Sequence, residues 1–369
     1  MSDLRTLDQL ETPAAIVDVD RMHANLRRAA EYTREHGLAW RPHAKTHKIP
    51  ALAAEQVRAG AVGVTVATAR EAEVMSGVVD DILLAYPPVN PGTLARVMAL
   101  PERVRLTVGL DSAEALRGLA AAARERGRRV GVLVEFDAGM HRVGVQTPDE
   151  AVELATLAAE LNGVDYRGLM FYPGHVRTRI ETQDAALGEL SATVQRFVDA
   201  MRGCGLPPHV VSGGSTPTFW RSHQVEGATE VRPGTNIFND RTTFVVGACG
   251  WDEVAYTVLA TVVSTSRPGQ VVVDAGAKAL ARDPLPTDEP GLGALLDRPE
   301  VTVRSVSEEH GILDLSQTDW RPRVGDRVRV VPNHVCVSVN LHEQLWGVRG
   351  DEIVAGWEVA GRGRAPLRG

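Results

Sequence analysis

The sequence predicts an α/β chain in which a (β/α)8 TIM-like barrel over residues 11–245 is followed by a mostly β domain over residues 246–369. Three observations carry this. Apolar, β-rich runs alternate with helical patterns through the first part of the chain, which is the mark of parallel β/α units. Each run tends to end where Gly, Pro, His or Asp appears. Past residue 245 the strands follow one another without long helices between them.

The barrel strands are expected at 38–42, 62–66, 82–86, 105–110, 131–136, 166–172, 208–212 and 229–232, with helical patterns such as 112–126, 148–161 and 183–203 between them. Eight strands fit a closed barrel. An open, doubly wound sheet is the other assembly that such units build. Residues 14–19 read as an extra strand before the barrel, so the N-terminal residues 1–19 are expected to join the sheet of the β domain. In that domain 256–263, 270–273 and 327–331 read as strands. The stretch 282–297, with Pro284, Pro286, Pro290 and Gly291, reads as a loop. The run His334-Val335-Cys336-Val337-Ser338-Val339-Asn340-Leu341 alternates as a strand with one apolar face would.

A chain of 369 residues, 44% hydrophobic and 24% charged, has the length and composition of a folded protein larger than one small domain. Its net charge of -7 argues against general nucleic-acid binding and leaves a small-molecule substrate as the expectation. No window supplies the roughly 20 apolar residues of a membrane span, and the start Met1-Ser2-Asp3-Leu4-Arg5 lacks the apolar stretch of a signal peptide. A cytoplasmic enzyme is expected. Cys204, Cys249 and Cys336 are too few and too widely spaced for a disulfide framework or a CxxC knuckle. Cys204 and Cys249 read as small buried residues.

The segment Arg41-Pro42-His43-Ala44-Lys45-Thr46-His47-Lys48 follows a strand and precedes a helix, which places it at the edge of a barrel where chemistry occurs. Neighbouring cations and partial burial favour the neutral amine that a Schiff-base lysine needs, so Lys45 is the candidate nucleophile. By its charges alone the segment reads equally as a solvated basic turn. A phosphate needs converging backbone N–H donors and therefore glycine. Ser212-Gly213-Gly214-Ser215-Thr216-Pro217 after the seventh strand and Pro233-Gly234-Thr235-Asn236 after the eighth offer them, or else form ordinary turns. On a strand, His334 and Cys336 would point the same way, and imidazole with thiolate suits Zn²⁺. A buried cysteine beside a hydrogen-bonded histidine is the other reading.

The motif RPHAKTHK resembles the cofactor-lysine motif of the D-serine dehydratase and D-threonine aldolase group, pyridoxal-phosphate enzymes of the alanine-racemase barrel type, fold type III. The resemblance continues in order through most of the chain. It includes Glu135-x-Asp137-x-Gly139-x-x-Arg142-x-Gly144, Tyr172-Pro173-Gly174-His175, the two glycine loops, Glu308-Glu309-His310-Gly311 and Pro332-Asn333-His334-Val335-Cys336. It implies pyridoxal 5'-phosphate on Lys45, with Arg142 and Tyr172 at the ring and Gly214, Ser215, Gly234 and Thr235 at the phosphate. It also implies a divalent metal, Zn²⁺ by ligand type, at His334 and Cys336. The activity implied is a lyase acting on small D-3-hydroxy amino acids in a homodimer with shared active sites. Thr46 and Cys336 are nearer the dehydratase pattern, which favours D-serine dehydration over retro-aldol cleavage of the D-threonine aldolase type. Asn236 stands where relatives often carry tyrosine and fits neither pattern. A racemase or a non-catalytic cofactor-binding protein would share the barrel, but the first needs a second acid/base that the sequence does not locate and the second has no need of the β domain.

Overall fold

The computed structural model describes residues 4–367. Residues 1–3 of the polar start and 368–369 of the β-rich region lie outside the described residues. The described residues divide into two compact units: 29–234 with 360–367, and 4–28 with 235–359. The division falls at 234/235, where the sequence pattern had placed it at 245, and residues 360–367 belong with the barrel.

After β1 (Ala14–Asp18), the barrel unit holds β2 (Ala39–Trp40), β3 (Val64–Val66), β4 (Asp81–Leu84), β5 (Arg105–Leu110), β6 (Val130–Glu135), β7 (Val164–Met170), β8 (Val210–Gly213) and β9 (Glu230–Val231). All run parallel in an 8-stranded sheet of order β2-β9-β8-β7-β6-β5-β4-β3. A parallel bridge between His43 and Thr65 joins the two ends of that order, so the ring closes next to the lysine segment. The helices are α1 (Val19–Glu35), α2 (Pro50–Arg58), α3 (Ala69–Met75), α4 (Pro91–Met98), α5 (Ala113–Glu125), α6 (Pro148–Glu160) and α7 (Asp184–Gly203).

Local chemistry fixes their starts. Thr68 accepts from the N–H of Glu71 at 3.1 Å, and Asn90 with Pro91 opens α4. Thr147 and Glu150 form a reciprocal capping box ahead of α6. The apolar stripes of α5 to α7, such as Leu116, Leu119 and Ala123, close on the buried valines and leucines of β4 to β7 in one core. At Gly168 a Cβ would collide with the carbonyl oxygen of Val210, so the β7–β8 approach requires glycine.

In the second unit a 9-stranded sheet contains β1 and β10 (Tyr256–Ser264), β11 (Gln270–Val273), β12 (Gly293–Leu295), β13 (Val303–Val306), β14 (Gly311–Asp314), β15 (Arg327–Pro332), β16 (Gln344–Arg349) and β17 (Glu352–Glu358). The N-terminal strand β1 pairs antiparallel with β10 and parallel with β16, as a strand joining the β domain should. Its short helices are α8 (Arg241–Val245), α9 (Ala277–Leu280) and α10 (Val335–Leu341).

Three expectations are corrected. Cys249 is buried as expected, but Cys204, just past the end of α7, is exposed. The stretch 282–297 is not all loop, because β12 lies in it and pairs antiparallel with β15. The run 334–341 is not a strand: it is α10, with His334 as the residue before its first turn. The Asp240 carboxylate accepts the N–H of Val335 at 3.0 Å, a first-turn donor, and Val335, Ser338 and Val339 are the buried residues. That i, i+3, i+4 spacing is helical, and a carboxylate at the N-terminus favours the helix over the alternation.

Candidate active site

Lys45 sits in the turn that follows β2. Its Nζ lies 5.7 Å from the centroid of the Tyr172 ring, and the Arg142 guanidinium lies 5.1 Å from the same ring. Two predicted cations thus lie within about 6 Å of the predicted Tyr172 ring. The turn is tied down on one side by the backbone N–H of His43, which donates to the Pro233 carbonyl at 2.9 Å. The Lys45 N–H donates to His43 Nδ1 at 3.4 Å. Burial, then the positive charges of Lys45, Arg232 and Lys48, hold His43 well below the ordinary histidine range, so its ring is neutral with Nδ1 as acceptor. Burial also brings His47 down to about 4; its Nδ1 accepts from Ile49 N–H and its Nε2 meets Gln56 Oε1 at 3.2 Å.

A buried polar chain runs from Arg232 to Asp81. Arg232 donates Nη1 to Ser212 Oγ at 2.7 Å and Nη2 to the Phe171 carbonyl at 2.8 Å. Ser212 Oγ donates to Glu230 at 2.6 Å, and Glu230 accepts from Arg41 Nε at 2.8 Å. Arg41 also pairs with Asp81 at 2.6 Å. Glu135, at the end of β6, is 6% exposed. Burial pushes its carboxyl up to about 7 even though Arg232 and Arg142 pull it down; Asp111 adds to the rise.

The two glycine loops abut. Gly214 takes φ 87, which turns the chain after β8. Gly234 donates its N–H to Thr216 Oγ1 at 3.3 Å, and a Cβ there would lie 2.7 Å from Thr46 Oγ1 and 3.0 Å from the His43 carbonyl. Ser215 is buried, with Oγ 3.0 Å from Thr218 Oγ1. A cradle of glycine backbone and hydroxyls beside a lysine and a buried arginine fits a phosphorylated aldehyde cofactor. Next in sequence, Asn236 Oδ1 is buried with no partner among the described residues.

In the other unit, His334 Nδ1 lies 3.3 Å from Asp240 Oδ2, and the imidazole also meets the Cys336 sulfur. Negative charge on Cys336, then Asp240, drive the His334 pKa upward against burial. Thr235 Oγ1 stands 3.9 Å from Cys336 Sγ. Although the strand expectation failed, the first turn of α10 still brings the predicted pair together. Among the described residues no cluster of three or more His, Cys, Asp or Glu side chains is assembled for a metal. A carboxylate-oriented histidine with a neighbouring thiol is nevertheless a donor pair that suits zinc and leaves coordination positions open. Asp240 was missed in the sequence, and no local signal marks it, because it lies 94 residues from His334. Arg232, immediately before the second glycine loop, was given no role from the sequence; the structure buries it against Ser212 and the Phe171 carbonyl.

The chain matches the model of the alanine racemase N-terminal domain over residues 17–242 and the model described as "Putative serine dehydratase domain" over residues 255–348. It is 35% identical to D-threo-3-hydroxyaspartate dehydratase of Delftia sp. (strain HT23), an alignment spanning 96% of this chain and 98% of that protein. Alanine variants of a D-threo-3-hydroxyaspartate dehydratase, at a histidine and at a cysteine two positions further on, superpose with TM-scores of 0.88 and 0.87 at 32% identity. They cover 98% of this chain and 97% and 99% of theirs, and the cysteine variant is in a metal-free form. The crystal structure of D-threonine aldolase from Filomicrobium marinum matches with a TM-score of 0.91 and 32% identity, covering 98% of both chains. No helix of the described residues is long and apolar enough to cross a membrane. With a matched barrel, a matched second domain and relatives aligned end to end, this chain belongs to the alanine racemase N-terminal domain family, in the branch of fold type III pyridoxal-phosphate lyases that joins that barrel to a serine dehydratase domain.

Proposed function

We propose that this chain is a pyridoxal-phosphate-dependent, metal-assisted lyase that dehydrates D-3-hydroxy amino acids, with D-serine as the simplest substrate, to a 2-oxo acid and ammonia. The observation that carries the reading is the His334 and Cys336 pair backed by buried Asp240. The same two-residue spacing separates the histidine and the cysteine replaced in the dehydratase relative.

Bound pyridoxal phosphate supplies the electron sink for the bond that breaks at Cα. Gly214, Ser215 and Gly234 would cradle its phosphate, and Arg142 and Tyr172 would flank its ring. Lys45 Nζ would carry the cofactor, and the same amine is the general base placed to take the Cα proton. Neutral His43 holds the backbone of the lysine turn and adds no positive charge of its own. His334 and Cys336 would hold a divalent metal, Zn²⁺ by their chemistry, which serves as Lewis acid for the departing 3-hydroxyl. The same reading carries a cytoplasmic homodimer with shared active sites, which sedimentation of the holoenzyme tests.

Similarity to D-threonine aldolase supports a second reading, in which a base takes the hydroxyl proton and the Cα–Cβ bond breaks. Incubation with D-serine, D-threonine and D-threo-3-hydroxyaspartate separates the two. Dehydration gives 2-oxo acid and ammonia from each substrate that turns over. Glycine plus an aldehyde, with negligible pyruvate from D-serine, would make the aldolase reading the correct one.

A further inference from the structure

The turn that carries Lys45 ends on Lys48, which takes φ 58, a left-handed conformation that side chains other than glycine rarely adopt. Three contacts hold it there. The Lys48 N–H donates to the Ala44 carbonyl at 2.7 Å and closes the turn around Lys45. The Lys48 ammonium pairs with Glu71, whose side chain is buried and whose other oxygen accepts the Ala67 N–H at 2.7 Å. The Lys48 carbonyl accepts the N–H of Gly361 at 2.9 Å.

The third contact comes from the far end of the chain. At Gly361 a Cβ would stand 3.0 Å from Lys48 Cβ, 3.1 Å from Lys48 O and 3.4 Å from Glu71 Cγ, so any side chain there presses on Lys48. The residues around it are anchored on the barrel helices. Ala360 packs against the barrel core and its carbonyl accepts from Arg70 Nε at 3.0 Å. Arg96 grips Glu73 at 2.6 and 2.9 Å and donates Nη1 to the Arg364 carbonyl at 2.8 Å. The Leu367 N–H reaches Glu73 Oε2 at 3.2 Å.

We propose that residues 360–367 form a strap that positions the Lys45 turn, with Gly361, Glu71 and Lys48 as its positioning residues. The proposal rests on the reading of Lys45 as the cofactor lysine. One side of the turn is held by His43 and Pro233 within the barrel. The other side is held by Lys48, and Lys48 by the strap and by α3. A left-handed residue without those partners relaxes toward ordinary backbone, and the lysine three positions earlier moves with it. Gly214, Ser215 and Gly234 make no contact with the strap itself, so phosphate binding should change far less than lysine linkage. Loosening the strap should therefore separate two quantities that an intact site keeps equal, namely total cofactor bound and cofactor covalently joined to lysine.

The test uses the full-length enzyme with Gly361→Ala, Gly361→Val and Glu71→Gln. After dialysis against pyridoxal phosphate, total cofactor is released by alkali and the lysine-linked share is read from the visible band. Folding is checked by circular dichroism. A displacement of the amine by part of an ångström should slow formation of the lysine-linked band about tenfold in Gly361→Val, and less in Gly361→Ala. Total bound cofactor should stay near the wild-type level, and kcat should fall while KM moves less than about twofold. Should Gly361→Val fail to fold, Glu71→Gln decides by the same ratio. Wild-type band formation in folded Gly361→Val or Glu71→Gln overturns the strap. Absence of a Lys45-linked band in the wild type overturns the cofactor-lysine reading and the strap together, and shows itself before any variant is made.

Discussion

Replacing Glu135 by glutamine should make stability depend less on pH, and the sign and size follow from its surroundings. The carboxyl is 6% exposed at the end of β6, and burial raises its pKa from the usual 4.5 to about 7. Below 4.5 both folded and unfolded chains hold the proton. Between 4.5 and 7 the unfolded chain releases it and the folded chain keeps it, so stability falls as pH rises through this window and the loss is complete above it. The interval corresponds to about 3 kcal/mol. Glu135→Gln, neutral at every pH, should therefore match the wild type near pH 4.5 and exceed it by about 3 kcal/mol near pH 8.5. Urea unfolding of cofactor-free protein at several pH values measures the difference, with the carboxyl infrared band reporting the proton directly. A difference that is flat with pH, or that favours the wild type at pH 8.5, would refute the argument that burial outweighs Arg232 and Arg142 here.

Gly168→Ala should cost at least about 3 kcal/mol of stability by urea unfolding, because φ 142 and the Val210 carbonyl leave no room for a Cβ; a near-neutral result would mean that β7 and β8 can part without penalty. Asp240→Asn should weaken metal binding about 10- to 100-fold, because the carboxylate orients His334, and metal titration of chelator-treated protein reads this. Cys336→Ala should lose metal, and Zn²⁺ should restore activity to the chelated wild type but not to this variant; unchanged metal content in Cys336→Ala would remove the cysteine from the site.

The barrel was legible because its signal is local and repeated. Runs such as 105–110 carry enough β-branched and apolar residues to be read without knowing their neighbours, and β5 spans the same residues. Strand β12 was not legible, since its three residues sit in a proline-rich stretch and gain their ladder from distant β15. The run from His334 to Leu341 misled for a physical reason: alternating valines satisfy a strand, but Val335, Ser338 and Val339 equally satisfy a helix, and Asp240 supplies the acceptor that chooses between them. Lys45, Arg142 and Tyr172 could be named from motifs, and the structure brings the two cations to within about 6 Å of the Tyr172 ring. The raised Glu135 carboxyl and the hold of the C-terminal residues on Lys48 depend on packing between distant segments, which no spacing in the sequence expresses.

Lys45 is the residue proposed to carry the cofactor. Hydride reduction of the holoenzyme followed by peptide mapping tests it directly, with Lys45→Ala as the comparison. The visible band should vanish on reduction and leave one covalent label on Lys45, while Lys45→Ala folds, takes no label and has no turnover. A label on Lys48, or no label on a protein that still turns over D-serine, would contradict it.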